Sequence, residues 1–120
     1  MLEIKDFVSS DINSLSEWQP KCNEDIYFVL EMEIGYKNTD SSDIFQVIVA
    51  SPESIRFREK QLPNCIPERK YFIVLSYNWS NIEKELTKIV ESCSCENWEE
   101  SVRKLTKYFL WEYEDHEYFG

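Results

Sequence analysis

Glycine is almost missing from this chain: Gly35 and Gly120 are the only two in 120 residues. Two glycines, one of them terminal, cannot build a phosphate-cradling loop, which excludes that form of nucleotide binding. Turns fall instead to Asn, Asp, Ser and four prolines, Pro20, Pro52, Pro63 and Pro67. Histidine occurs once, as His116, set among acids. A Cys–His or Ser–His pair would have to use it. Catalytic groups need rigid support, so a solvated residue is the expectation there. Basic charge is scarce: 13 Lys and Arg stand against 23 Asp and Glu, a net charge of −10. Phosphate contacts need a basic surface, so nucleic acid is not an expected partner. The same charge favours fast association with a basic protein. No apolar run approaches the ~20 residues of a membrane span. Met1–Ser10, with one Lys and two acids, does not read as a secretory signal. A cytoplasmic protein with no membrane partner is expected.

Four cysteines are present, Cys22, Cys65, Cys93 and Cys95. Zinc would want two closely spaced Cys or His pairs. One Cys-x-Cys and one His do not supply them, and redox chemistry more often uses Cys-x-x-Cys. Free thiols are the expectation for a cytosolic chain. No metal and no cofactor are expected.

What is present is a core-forming composition, 42 % apolar and 15 % aromatic, in one chain of single-domain length, 1–120. Leu2 to Val8 reads as a strand in which Leu2, Ile4 and Asp6 share a face before Phe7 and Val8 break the alternation. Asp11 is a potential cap of the turn that follows. Ile26–Ile34 is the clearest strand, with Phe28, Leu30, Met32 and Ile34 on one face and Tyr27, Val29, Glu31 and Glu33 on the other. Residues 43–50 return as its hairpin partner, rich in β-branched side chains. Ser51-Pro52-Glu53 starts a short helix. Arg56, Arg58, Lys60, Arg69 and Lys70 form the only basic region. Residues 71–77 are apolar on both faces, as in a central strand. Ser80-Asn81-Ile82-Glu83 matches a capping box opening a helix near 81–93, with Ile82, Leu86, Ile89 and Cys93 in line. Asn97, with Glu100 three residues on, opens a second helix near 97–111, striped by Trp98, Val102, Leu105 and Phe109. Strands first and helices last indicate an α+β fold: a mostly antiparallel sheet with the C-terminal helices packed on one face.

With 23 acids, some carboxylates must be neighbours, as Glu31 and Glu33 or Glu99 and Glu100 are. Glycosidase-like chemistry also needs a cleft, for which a sheet with two helices leaves little room. A solvated acidic face is the better reading. Charge is concentrated late in the chain. Residues 91–117 hold eight acids against three bases, half of the net charge. From Trp111 to Phe119 acids alternate with aromatics. Aromatics anchor interfaces and acids steer basic partners; Trp111 fits packing on the sheet equally well.

Several co-linear pieces are similar to the immunity protein 8 family of bacterial polymorphic toxin and contact-dependent inhibition systems. They are Ile4-Lys5 before Ser10-Asp11-Ile12, Ile34-Gly35 before Asp43-Ile44-Phe45-Gln46-Val47, Ser51-Pro52-Glu53, Ile73-Val74, and Trp98. The fullest is Lys107-Tyr108-Phe109-Leu110-Trp111-Glu112-Tyr113-Glu114-Asp115, where Tyr113 stands in place of an expected Phe. The resemblance implies a non-enzymatic, cytosolic protein that binds and neutralises a cognate toxin domain made beside it, without naming that toxin or an oligomeric state. An acidic inhibitor suits a basic nuclease, which must itself bind phosphate. The expected toxin-binding residues are Glu112, Tyr113, Glu114, Asp115, Glu117 and Tyr118, with Asp40 and Asp43 on the hairpin as a second patch. A protein-binding adaptor and a carboxylate-based hydrolase are the competing readings.

Overall fold

The computed structural model describes residues 1–59 and 70–114. Lys60, Pro63, Cys65, Pro67, Arg69, Asp115, His116, Glu117 and Tyr118 lie outside them. The elements run β1 (Leu2–Val8), β2 (Tyr27–Tyr36), β3 (Asp43–Ala50), α1 (Pro52–Glu59), β4 (Tyr71–Ile73), α2 (Trp79–Ser92), α3 (Trp98–Leu105) and β5 (Leu110–Trp111). They form the expected α+β fold, a mostly antiparallel sheet with α2 and α3 on one face.

The period of two in β2 decides which face is covered. Phe28, Leu30, Met32 and Ile34 are buried, as are their cross-strand partners Val49, Val47 and Phe45 on β3. Ile82, Leu86 and Val90 of α2 join them in one cluster with Val102 and Leu105 of α3 and with Phe109. Trp98 is half-buried against that cluster, its ring 5.7 Å from Tyr36. Burying side chains of this size contributes about 1.5–3 kcal/mol each.

In β1 the break in alternation is a β-bulge. Ile4 pairs with Ile34, and the next pair is Asp6 with Glu33, leaving Lys5 as the extra residue. Phe7, opposite Met32, therefore shares the covered face with Leu2 and Ile4, and Asp6 turns to the other face, against expectation. Asp11 does not cap its own turn; its carboxylate accepts the Val29 N–H at 3.1 Å, beyond the end of the β1–β2 ladder.

The outer edge of β3 is shared. β4 runs parallel to its second half, Ile48 to Ala50, and β5 antiparallel to its first half, Phe45 and Gln46. Here 71–77 departs from a central strand: β4 is three residues long and peripheral. The Val74 N–H still reaches Ala50, but beyond it Leu75 is 77 % exposed and the chain turns toward α2. With half of the β3 edge occupied by β5, β4 has a short stretch to pair with.

Local chemistry sets the helix ends. Ser51 Oγ accepts the Ser54 N–H, with Pro52 as the first helical residue. The cap of α2 is Asn78, two residues before the expected Ser80: its Oδ1 accepts the Asn81 N–H at 3.1 Å. Asn97 caps α3 as expected, accepting the Glu100 N–H at 2.9 Å. α3 stops at Leu105, short of 111. A few turn bonds, including Phe109 N–H to Leu105 O, bury Phe109 and deliver Leu110 and Trp111 to the β3 edge.

Candidate protein-binding surface

Asp43 of the hairpin patch meets the described start of the C-terminal patch, residues 111–113. Trp111 lies opposite Phe45, and its Nε1–H donates to Asp43 Oδ2 at 3.0 Å. Glu112 continues the ladder: its N–H donates to Ile44 O at 3.0 Å, and its carboxylate accepts the Ile44 N–H in return. Tyr113 packs edge-on to Trp111, with ring centroids 5.5 Å apart. A hydrogen bond from its hydroxyl to the Glu112 carboxylate, reinforced by that group's charge, pushes the Tyr113 pKa up. Asp43, Glu112 and Tyr113 thus form one knot holding the returning chain on the hairpin. Asp40 is exposed in the β2–β3 loop, and Glu114 is half-buried. Tyr108 and Leu110 are each 47 % exposed next to the knot.

Asp43 and Trp111 lie on the covered side, opposite Ile34 and Phe45, whereas Glu112 leads onto the sheet face opposite α2 and α3. Antiparallel register writes its rows. One runs Asp6, Glu33, Ile44 and, by continuation of the β5 return, Glu112. The next runs Val8, Glu31, Gln46, Leu110. Asp6 and Glu33 are exposed direct cross-strand neighbours of like charge, an arrangement that lowers stability. Among the described residues neither takes part in an ion pair; Glu31 accepts from Gln46 Nε2 at 3.3 Å. Farther along the same face the charge reverses, with the Arg58 guanidinium 3.7 Å above the Tyr27 ring and Tyr71 beside it. Sequence periodicity placed Glu31 and Glu33 here but missed Asp6, Val8 and Leu110, whose position depends on the bulge and on β5.

The free edge of β1 is guarded. Away from β2, the Leu2 N–H donates to Ser94 Oγ and the Phe7 N–H to Asp6 Oδ1. Together with the bulge at Lys5 these close the edge to strand addition. Beside it a groove of about 510 Å³ opens between β1, the 12–16 segment and the start of α2, lined by Phe7, Ile12, Leu15, Trp79 and Glu83. Glu99 and Glu100 sit exposed in the first turn of α3, away from any cleft described.

Cys22, Cys93 and Cys95 are free thiols, and burial pushes the Cys93 thiol up. No group of residues suited to a metal ion occurs among the described residues. No helix among them is long and apolar enough to cross a membrane.

No curated protein and no solved structure matches the chain. The family model described as Immunity protein 8 matches residues 2–116. A match of that span, in order through every strand and helix described above, makes this chain a member of the Immunity protein 8 family.

Proposed function

We propose that this immunity protein binds one cognate toxin domain and neutralises it by occluding a basic active or substrate-binding site, without catalysis of its own. The observation that carries the reading is the joined knot at the start of β3. Carboxylates and exposed aromatic surface are presented together there on a rigid sheet end, where acids steer and aromatics anchor. The toxin-binding set is Glu112, Tyr113 and Glu114 with Asp40 and Asp43, continued in sequence by Asp115, Glu117 and Tyr118. Glu112 and Asp43 also hold the fold, so the exposed neighbours supply the adjustable part of the contact. A nuclease is the favoured toxin, because its phosphate-binding cations would match these carboxylates.

A carboxylate hydrolase is disfavoured because the neighbouring acids Glu31 and Glu33 stand on an open sheet face. The test changes Glu114, Asp115 and Glu117 together to Lys, with folding checked by circular dichroism. Binding and protection are then measured against the toxin domain encoded beside this gene. A large loss of affinity, steepest at low salt, is the expected result. Unchanged affinity would move the interface elsewhere, and no binding by the wild type would remove the immunity reading.

A further inference from the structure

We propose that the sheet face opposite α2 and α3 is itself a docking surface, extending the toxin contact from the C-terminal knot across β3 and β2 to β1. Its occupant is a protein surface rich in Lys and Arg with apolar side chains between the cations. The inference rests on the immunity reading for its partner, and on the register for its chemistry.

Three observations carry it. The first is the like-charge pair Asp6 and Glu33, exposed, cross-strand and without an ion-pair partner among the described residues. With Glu31 and Glu112 it makes four acids on adjoining rows of one face. A basic partner relieves a repulsion that the free protein has to carry. The second is what stands between the acids. Val8 and Leu110 are 48 % and 47 % exposed, and Ile44 is half-buried on the same rows. An apolar centre among charges is the anatomy of an interface, whereas a purely solvated face would need no such side chains. The third is elimination of another geometry. The β1 edge has its Leu2 and Phe7 donors taken and a bulge in its middle, so a partner strand cannot simply extend the sheet. A second copy of this chain is disfavoured on the face itself, because it would set four acids against four.

The test uses the full chain and, as probe, the purified toxin domain encoded beside its gene. Methyl NMR of the wild type in the complex should shift Val8, Ile44 and Leu110. The neutral double variant Asp6→Asn/Glu33→Gln should fold, because Asn keeps an acceptor for the Phe7 N–H. It should bind about tenfold more weakly at low salt, mostly through a slower association rate. The charge-matched variant Glu83→Gln/Glu85→Gln on α2 should change affinity less than twofold. If the wild type binds but these methyls stay unshifted and both double variants bind as it does, the face is not a docking surface, and the immunity reading survives. If both variants weaken equally, net charge and not this face is at work, and the inference falls. If the wild type does not bind, the immunity reading itself fails and takes this inference with it.

Discussion

The two faces of the sheet are built from the same strands yet answer to different rules. On the covered face, Phe28, Leu30, Met32 and Ile34 meet Phe45, Val47 and Val49 with almost no exposure. On the opposite face, one residue along at every position, acids sit beside acids and aliphatic groups stay half in water. Covered positions are chosen for packing, where a lost methylene is felt. Open positions tolerate a like-charge pair that stability alone would not select. The proposed docking surface would account for this contrast.

The largest effect expected from this contrast is on the covered side. Phe109, 1 % exposed, closes the cluster between α3 and the sheet. Phe109→Ala should cost roughly 3–5 kcal/mol, read from urea unfolding. A loss under ~1 kcal/mol would show that the two faces are not energetically distinct. Next comes Gly35, where the Ser41 carbonyl occupies the place a Cβ would take. Gly35→Ala must displace the β2–β3 loop and should cost about 1–3 kcal/mol; a neutral result would mean the loop is held loosely. Trp111→Phe keeps a ring on Phe45 but removes the donor to Asp43. About 1 kcal/mol is expected in the same assay. Glu33→Gln should go the other way, raising stability by about 0.2–1 kcal/mol while weakening toxin binding. Opposite signs in the two measurements are the signature of the open face, and a loss in both would erase it.

The smallest effect separates two tyrosines that both resist ionisation. Burial pushes Tyr77 up to about 12, with its hydroxyl donating to Leu15 O at 2.5 Å. Tyr113 is raised by its hydrogen bond to Glu112 instead. In both, the folded value lies above the unfolded one near 10. The stabilisation from keeping Tyr77 neutral is complete below about pH 10 and fades as pH rises toward 12. In a tyrosinate absorbance titration, Tyr77→Phe should remove a group ionising near pH 12, and Glu112→Gln should lower Tyr113 while leaving Tyr77 in place.

Much of the covered face was legible in the sequence, because burial imposes a period. The alternation in 26–34, the β-branched run in 43–50, the Ser51 and Asn97 caps and the stripe ending in Phe109 all follow from local rules. What escaped was non-local. Residues 71–77 looked central because apolar composition does not reveal how much partner strand is free, and β5 had taken half of that edge. Trp111 fitted the end of the second helix by spacing; its pairing with Phe45 and its bond to Asp43, 68 residues away, place it in a strand instead. The site was half legible for the same reason. Asp43 and the Glu112–Tyr113 pair were each picked out by charge and aromatic content, but their meeting is a product of register. Asp6 was assigned to the wrong face because a bulge leaves no composition of its own.

The divided edge of β3 has a consequence for how the chain reaches its native state. The β2–β3 hairpin is local and can form early. The β3 edge is closed by segments that arrive from 71–73 and, much later, from 110–111. Until then Ile44-Phe45-Gln46-Val47-Ile48-Val49 stands with an unpaired side, a short run of high β-propensity and no charge. Closure by Leu110 and Trp111 joins residues far apart in the sequence, which is expected to be slow and to leave this run open to self-association meanwhile. A variant that weakens the Trp111–Asp43 latch should show itself first as aggregation during refolding at high protein concentration, before any change in the native state is visible.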